Sequence, residues 1–77
     1  MKVKVVVVQT VFRWNTAIFT FVDENGNKYT WETQSNKAFV ELSDAILHDK
    51  EVEIKSFKFV EDSKSSIKNV RYSVVNA

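Results

Sequence analysis

Asp44, His48 and Asp49 set the chain's single histidine near two carboxylates, one a helical turn earlier and one adjacent. Such a trio is raw material for a metal site or an acid/base pair. A zinc site, however, needs three or four converging ligands, and the sequence has no cysteine and no second histidine to complete one. Its serines have no base other than His48 to activate them, and one glycine cannot build the glycine-rich loop that cradles a nucleotide phosphate. A lone histidine near a helix C-terminus has a simpler role, because its positive form complements the dipole there. Asp23 and Glu24 are absorbed by a turn. The expectation is a protein that is not an enzyme and that holds no cofactor and no metal.

Rings and cations carry a different chemistry. Residues 11–16, VFRWNT, place Phe12, Arg13 and Trp14 in a connection whose geometry demands no large aromatic. Arginine beside tryptophan supplies a phosphate partner and a stacking face, the two contacts that hold single-stranded nucleic acid. Residues 16–33, TAIFTFVDENGNKYTWET, gather Phe19, Phe21, Tyr29 and Trp31 around the only glycine, Gly26. Lys58, Lys64, Lys68 and Arg71 follow later in the chain. Each has a plainer alternative: the rings can be core, Trp14 can cap the end of the fold, and isolated lysines commonly form a solvated face.

The elements that must position these residues are constrained by length. Seventy-seven residues make one small domain, which buries only about 60 to 65% of the surface its unfolded chain exposes. The core is therefore thin, and neither disulfide nor metal is at hand to brace it. No apolar run approaches the roughly 18 residues that span a bilayer, and MKVKVVVVQT is too short and strand-like for a signal peptide. A soluble, cytoplasmic protein is expected, which the lack of cysteine permits without requiring. The formal charge is only +1, but it is unevenly spread: all ten carboxylates lie between Asp23 and Asp62, and both ends are basic.

Residues 3–12, VKVVVVQTVF, are β-branched and read as a first strand, with an apolar centre that calls for cover on both faces. Residues 17–33 supply two strands and a tight turn. In residues 50–62, KEVEIKSFKFVED, Val52 and Ile54 alternate with Glu53 and Lys55, and then Phe57 and Phe59 oppose Lys58 in shifted phase. A one-residue shift within a strand predicts a bulge near Ser56, a device for turning a barrel corner. Residues 67–75, IKNVRYSVV, form the last strand, with Val70, Tyr72 and Val74 on one face. Between the third and fourth strands, Phe39, Leu42 and Ile46 recur at helical spacing, with Ser35 or Asn36 as N-cap. Five short strands and one short helix in a single domain favour a closed or nearly closed barrel, which leaves few free edges.

Turn chemistry decides the register of the aromatic hairpin. A two-residue type I′ turn at Asn25-Gly26 sets Thr20 against Trp31 and divides the rings between the two faces. A type I turn from Asp23, with Gly26 left-handed as a bulge, pairs Phe21 with Tyr29 and Phe19 with Trp31. All four rings then share one face, and since register follows the buried face, the second alignment is expected. A thin barrel needs Phe19 and Phe21 inside, while the polar atoms of Tyr29 and Trp31 suit a rim.

The run IFTFVDENGNKYTWET, a short helical connection, EVEIKSFKF and IKNVRYSVV together resemble small phage-type OB-fold proteins associated with single-stranded DNA binding. The shared pattern is an aromatic strand, an acidic turn with Gly-Asn, an aromatic-x-Trp strand, an alternating fourth strand and a last strand containing arginine. It spans most of the chain. The fourth loop departs from it, with EDSKSSIK at residues 61–68 in place of the family's tyrosine and glycine. The resemblance implies an all-β, five-stranded Greek-key barrel with one short helix, in a host cytoplasm if phage-encoded. It implies single-stranded DNA or RNA held at low sequence specificity in a groove flanked by the first and fourth loops. Phe12, Arg13, Trp14, Tyr29, Trp31, Lys58, Lys64, Lys68 and Arg71 are the expected contacts. The near-neutral total charge and acidic middle point to an alternative, a protein-interaction module docking through a sheet edge, with a homodimer as one form of such pairing.

Overall fold

A run of β-branched residues builds the first strand, β1 (Lys2–Val11), of a computed structural model that describes residues 1–11 and 15–75. The chain continues through β2 (Thr16–Asp23), β3 (Lys28–Thr33), α1 (Asn36–Leu47), β4 (Glu51–Phe59) and β5 (Ser66–Val75). The strands close in the order β1-β2-β3-β5-β4, with β4 returning to β1. Every pairing is antiparallel except β3 with β5, which run parallel because four antiparallel steps around a ring of five strands leave the fifth pair parallel. This is the expected five-stranded, OB-fold-like Greek-key barrel. Among the described residues, no helix is long and apolar enough to cross a membrane.

The hairpin adopts the register that keeps its rings together: Phe21 faces Tyr29 and Phe19 faces Trp31. Its turn closes through the Gly26 amide donating to the Asp23 carbonyl at 3.1 Å and the Asp23 amide donating to the Asn27 carbonyl at 3.0 Å. Gly26 has φ +83°, a left-handed conformation that a side chain at this position would strain. The Asp23 carboxylate accepts from the amides of Asn25 and Asn27, both at 2.9 Å, and from the Tyr29 hydroxyl at 3.2 Å. Burial would raise this carboxyl's pKa, but the donors from Asn27, Asn25 and Tyr29 outweigh it and hold it below the ordinary aspartate value.

Phe19 and Phe21 are fully buried, with Val3, Val5, Leu42, Val52, Ile54 and Ile67 around them. Each such side chain stabilises the fold by about 1.5 to 3 kcal/mol relative to exposure. Ser35 caps α1, its hydroxyl accepting from the Ala38 amide at 3.2 Å. The helix buries Ala38, Leu42 and Ala45, rather than being centred on Phe39, Leu42 and Ile46 as its larger residues suggest. Two alanines let the helix approach the barrel closely, and Phe39 is left at its margin against Phe19, ring centroids 6.5 Å apart.

β1 departs from expectation. Its centre is not covered on both faces, since Val6 and Val7 are 47% and 44% exposed. The register with β2 slips between Val5 and Val7, resetting the alternation so that two consecutive valines face out. β4 reaches only Lys2, Val3 and Lys4 of β1, so among the described residues the strand pairs from Val5 to Val11 with β2 alone. In β4 the register slips on both sides of Ser56, where the phase shift in the sequence places a bulge.

Candidate functional site

Alternation along β5 ought to send Lys68 and Arg71, three residues apart, to opposite faces. The register between β4 and β5 slips between them, with Asn69 left-handed at φ 53°. Both side chains therefore end up exposed, Lys68 directly across from Lys58 and Arg71 across from Ser56. The matching slip in β4 leaves Lys55 exposed on the same ladder. Lys64 is exposed in the connection between β4 and β5. Two bulges thus turn irregular spacing into one band of positive charge.

Carboxylates neutralise cations elsewhere. The N-terminal amine meets Glu53 at 3.4 Å, Lys4 meets Asp49 at 3.2 Å, and Lys50 meets Asp44 at 2.9 Å. His48 sits at the C-cap of α1 with its Nε2 3.2 Å from Asp44, which places the suspected acid/base trio in a helix-terminal ion cluster. The Lys50 hydrogen bond, opposed by burial, keeps the Asp44 carboxyl below its ordinary pKa. Among the described residues, Lys55, Lys58, Lys64, Lys68 and Arg71 enter no ion pair. Lys2 and Lys28 are likewise unpaired, but each lies on a different strand. Like charges placed directly opposite in a ladder destabilise it, so the Lys58 and Lys68 pair is tolerated at a cost.

The rings divide into two groups on either side of buried Ile67, which pairs with Trp31 on β3 and with Phe59 on β4. Half-buried Tyr29 packs edge-on against Phe57 at 5.9 Å and tilted against Phe59 at 6.4 Å, and Phe59 is 47% exposed. Trp31, also half-buried, meets Tyr72 edge-on at 5.9 Å and lies 6.4 Å from Phe19. The aromatics expected at a rim are thus at the rim, and Phe19 and Phe21 are core.

Beyond Trp31 and Ile67 the parallel pairing of β3 with β5 stops, and the strands separate under α1. The gap is a groove of about 410 Å³ lined by Trp31, Lys37, Glu41, Lys55, Arg71 and Tyr72, among others. Its volume lies within the roughly 300 to 1,000 Å³ usual for ligand sites. Glu41 Oε1 is buried here without a hydrogen-bond donor, the nearest cation being Lys37 at 3.9 Å. Burial, and then the Glu41 charge, push the Tyr72 hydroxyl up from its ordinary pKa, so it stays a neutral donor. A smaller hollow of about 230 Å³ lies where β2 begins and α1 starts; it is lined by Thr10, Asn15, Thr33, Ser35, Asn36 and Phe39, among others, with no charged group among the described residues.

Of the residues expected from sequence, the fold brings Trp31 and Arg71 into one groove, pairs Lys58 with Lys68, and sets Tyr29 in the second aromatic group; Lys64 stands apart in its loop. Phe12, Arg13 and Trp14 lie outside the described residues. The sequence reading missed Phe57, Phe59, Tyr72, Lys55, Lys37 and Glu41. The run FKF at residues 57–59 signals two of them, because rings flanking a lysine on a strand meant for a thin barrel exceed what the core needs. Nothing local singles out Lys37 or Glu41. No family model matches the chain, and neither a curated protein nor a solved structure matches it.

Proposed function

We propose that this domain binds single-stranded nucleic acid, DNA in the first instance, without catalysis and with low overall sequence specificity. The observation that carries this reading is the facing pair Lys58 and Lys68, part of a band of cations left without carboxylates on a molecule that neutralises others. A phosphate placed between two lysines removes their repulsion and gains both attractions, so the arrangement favours a bound polyanion over the free state. The half-exposed rings of Tyr29, Phe59 and Trp31 lie on the other face of these strands from Lys58 and Lys68, where they offer stacking faces that accept any base, and Trp31 shares its groove with Lys55 and Arg71. Weak selectivity follows, because phosphates and ring faces are common to every nucleotide.

A titration of tryptophan emission with oligo-dT at low and high salt tests the proposal. Binding at low salt that weakens steeply as salt rises supports it. An absence of binding at low salt refutes it. Loss of binding in Trp14→Ala with the fold intact extends the site to the first connection, whereas loss of folding makes Trp14 a core residue.

One feature favours a second reading, a module that docks through strand addition. Among the described residues, β1 from Val5 to Val11 has a strand partner on one side only and, although α1 also packs against the strand, exposes Val6 and Val7. Such an edge accepts a strand from a partner or from a second copy. Sedimentation that depends on concentration and is abolished by Val6→Lys identifies the second copy, and oligo-dT binding retained by that variant separates the two surfaces.

A further inference from the structure

A carboxylate inside a proposed nucleic-acid groove is out of keeping with phosphate binding, and Glu41 is such a group. The side chain is about one-third exposed, but its Oε1 is removed from solvent and accepts no hydrogen bond, its one ionic contact being Lys37 at 3.9 Å, although Lys55 and Arg71 line the same groove. A buried acceptor without a donor is costly, and an ionised carboxylate can only accept. The complement is a ligand that presents N–H groups between two aromatic walls, here Trp31 and Tyr72, with its own negative charge directed toward the cations.

We propose that the groove takes one unstacked base and that Glu41 selects for bases bearing an amino group, guanine above all. The inference rests on the nucleic-acid reading above. Guanine offers N1–H and N2–H side by side, a match for the two oxygens of a carboxylate once Glu41 turns its Oε1 into the groove, and the adenine and cytosine amino groups each offer a donor. Thymine and uracil present one N–H between two carbonyl oxygens, which a carboxylate repels. Its phosphate then lies toward Lys55 and Arg71, the two groove residues that belong to the cationic band. A cationic side chain from a protein partner would also satisfy Glu41, but it would meet Lys37, Lys55 and Arg71 in the same groove. The domain is thus tolerant along most of the strand and selective at one nucleotide.

The test compares the full chain's affinity for two eight-nucleotide DNAs, dT8 and (dTdG)4, by tryptophan emission at low salt. The expected result is about tenfold tighter binding of (dTdG)4, the discrimination typical of one good base-edge contact. Glu41→Gln, checked for folding by circular dichroism, should erase this preference, so that the affinity ratio of the two DNAs falls to about one. Glu41→Asp, which withdraws the carboxylate by one methylene, should retain part of it and serves if the glutamine variant does not fold. Equal affinity of the wild-type chain for the two DNAs, or a preference that survives in Glu41→Gln, overturns the selectivity and leaves the binding reading intact. Failure of both DNAs to bind overturns that reading and this inference with it.

Discussion

Replacing Lys58 and Lys68 together by glutamine should make the protein more stable and a weaker binder, two opposite effects from one cause. In the free protein the two ammonium groups face each other across β4 and β5 with no carboxylate between them. Cross-strand like charges cost about 0.2 to 1 kcal/mol, and a domain of this size gains about 4 to 8 °C per kcal/mol. The double variant should therefore melt roughly 1 to 8 °C higher in thermal scans. Binding moves the other way. If Lys55, Lys58, Lys68 and Arg71 each neutralise one phosphate, the slope of log affinity against log salt is about −2.8 for a single strand. Raising salt from about 50 to about 200 mM then weakens oligo-dT binding ~50-fold in the wild type. With two cations gone the slope is about −1.4 and the same change costs only ~7-fold. Fluorescence titrations at four salt concentrations measure both slopes. An unchanged slope in the double variant, or a lower melting temperature with unchanged affinity, refutes the reasoning: the lysines would then be a solvated face that happens to meet across a ladder.

Phe19→Ala should lose about 3 to 5 kcal/mol in urea unfolding, because Phe19 is fully buried and its removal leaves a cavity in a thin core. Phe59→Ala should unfold at nearly the wild-type concentration yet bind oligo-dT weaker by about 1 to 3 kcal/mol, the worth of one stacked base; equal losses of stability and binding would make Phe59 a core residue only. Gly26→Ala should cost roughly 1 to 2 kcal/mol through backbone strain alone, since a methyl group there meets open space. Asp23 and Asp44 are both held below the ordinary aspartate pKa, so the stability they contribute is complete above about pH 4 and is lost as pH falls through their folded values. Melting temperature should hold from neutrality to about pH 4 and then fall, and Asp23→Asn with Asp44→Asn should flatten that acid limb; an identical limb in the double variant would mean other carboxylates govern it.

Much of the candidate site was legible as residue types and little of it as an arrangement. Trp31 and Arg71 are visible as a ring and a cation, but that they line one groove depends on where β3 and β5 part and how α1 covers the gap. Lys58 and Lys68 look like unrelated surface lysines until β4 and β5 are set in register. Strict alternation would have separated Lys68 from Arg71, and the slip at Asn69 cancels that separation. The same kind of slip at Val6 overturns the expectation that β1 is covered on both faces.

By itself the sequence determined whatever rests on interactions within a few residues or on a one-sided burial pattern: the hairpin register, the left-handed glycine, a helix cap at Ser35 or Asn36 and the bulge near Ser56. Those follow from φ preferences, side-chain hydrogen bonds within one turn and the need to keep four rings together, all of which a short window contains. Only the tertiary structure decided which helical face is buried, which valines are exposed, which cations lack partners and that Glu41 ends in a groove. Each depends on how far one strand slips against another distant in sequence, and a single-residue slip exchanges inside for outside without changing any local preference.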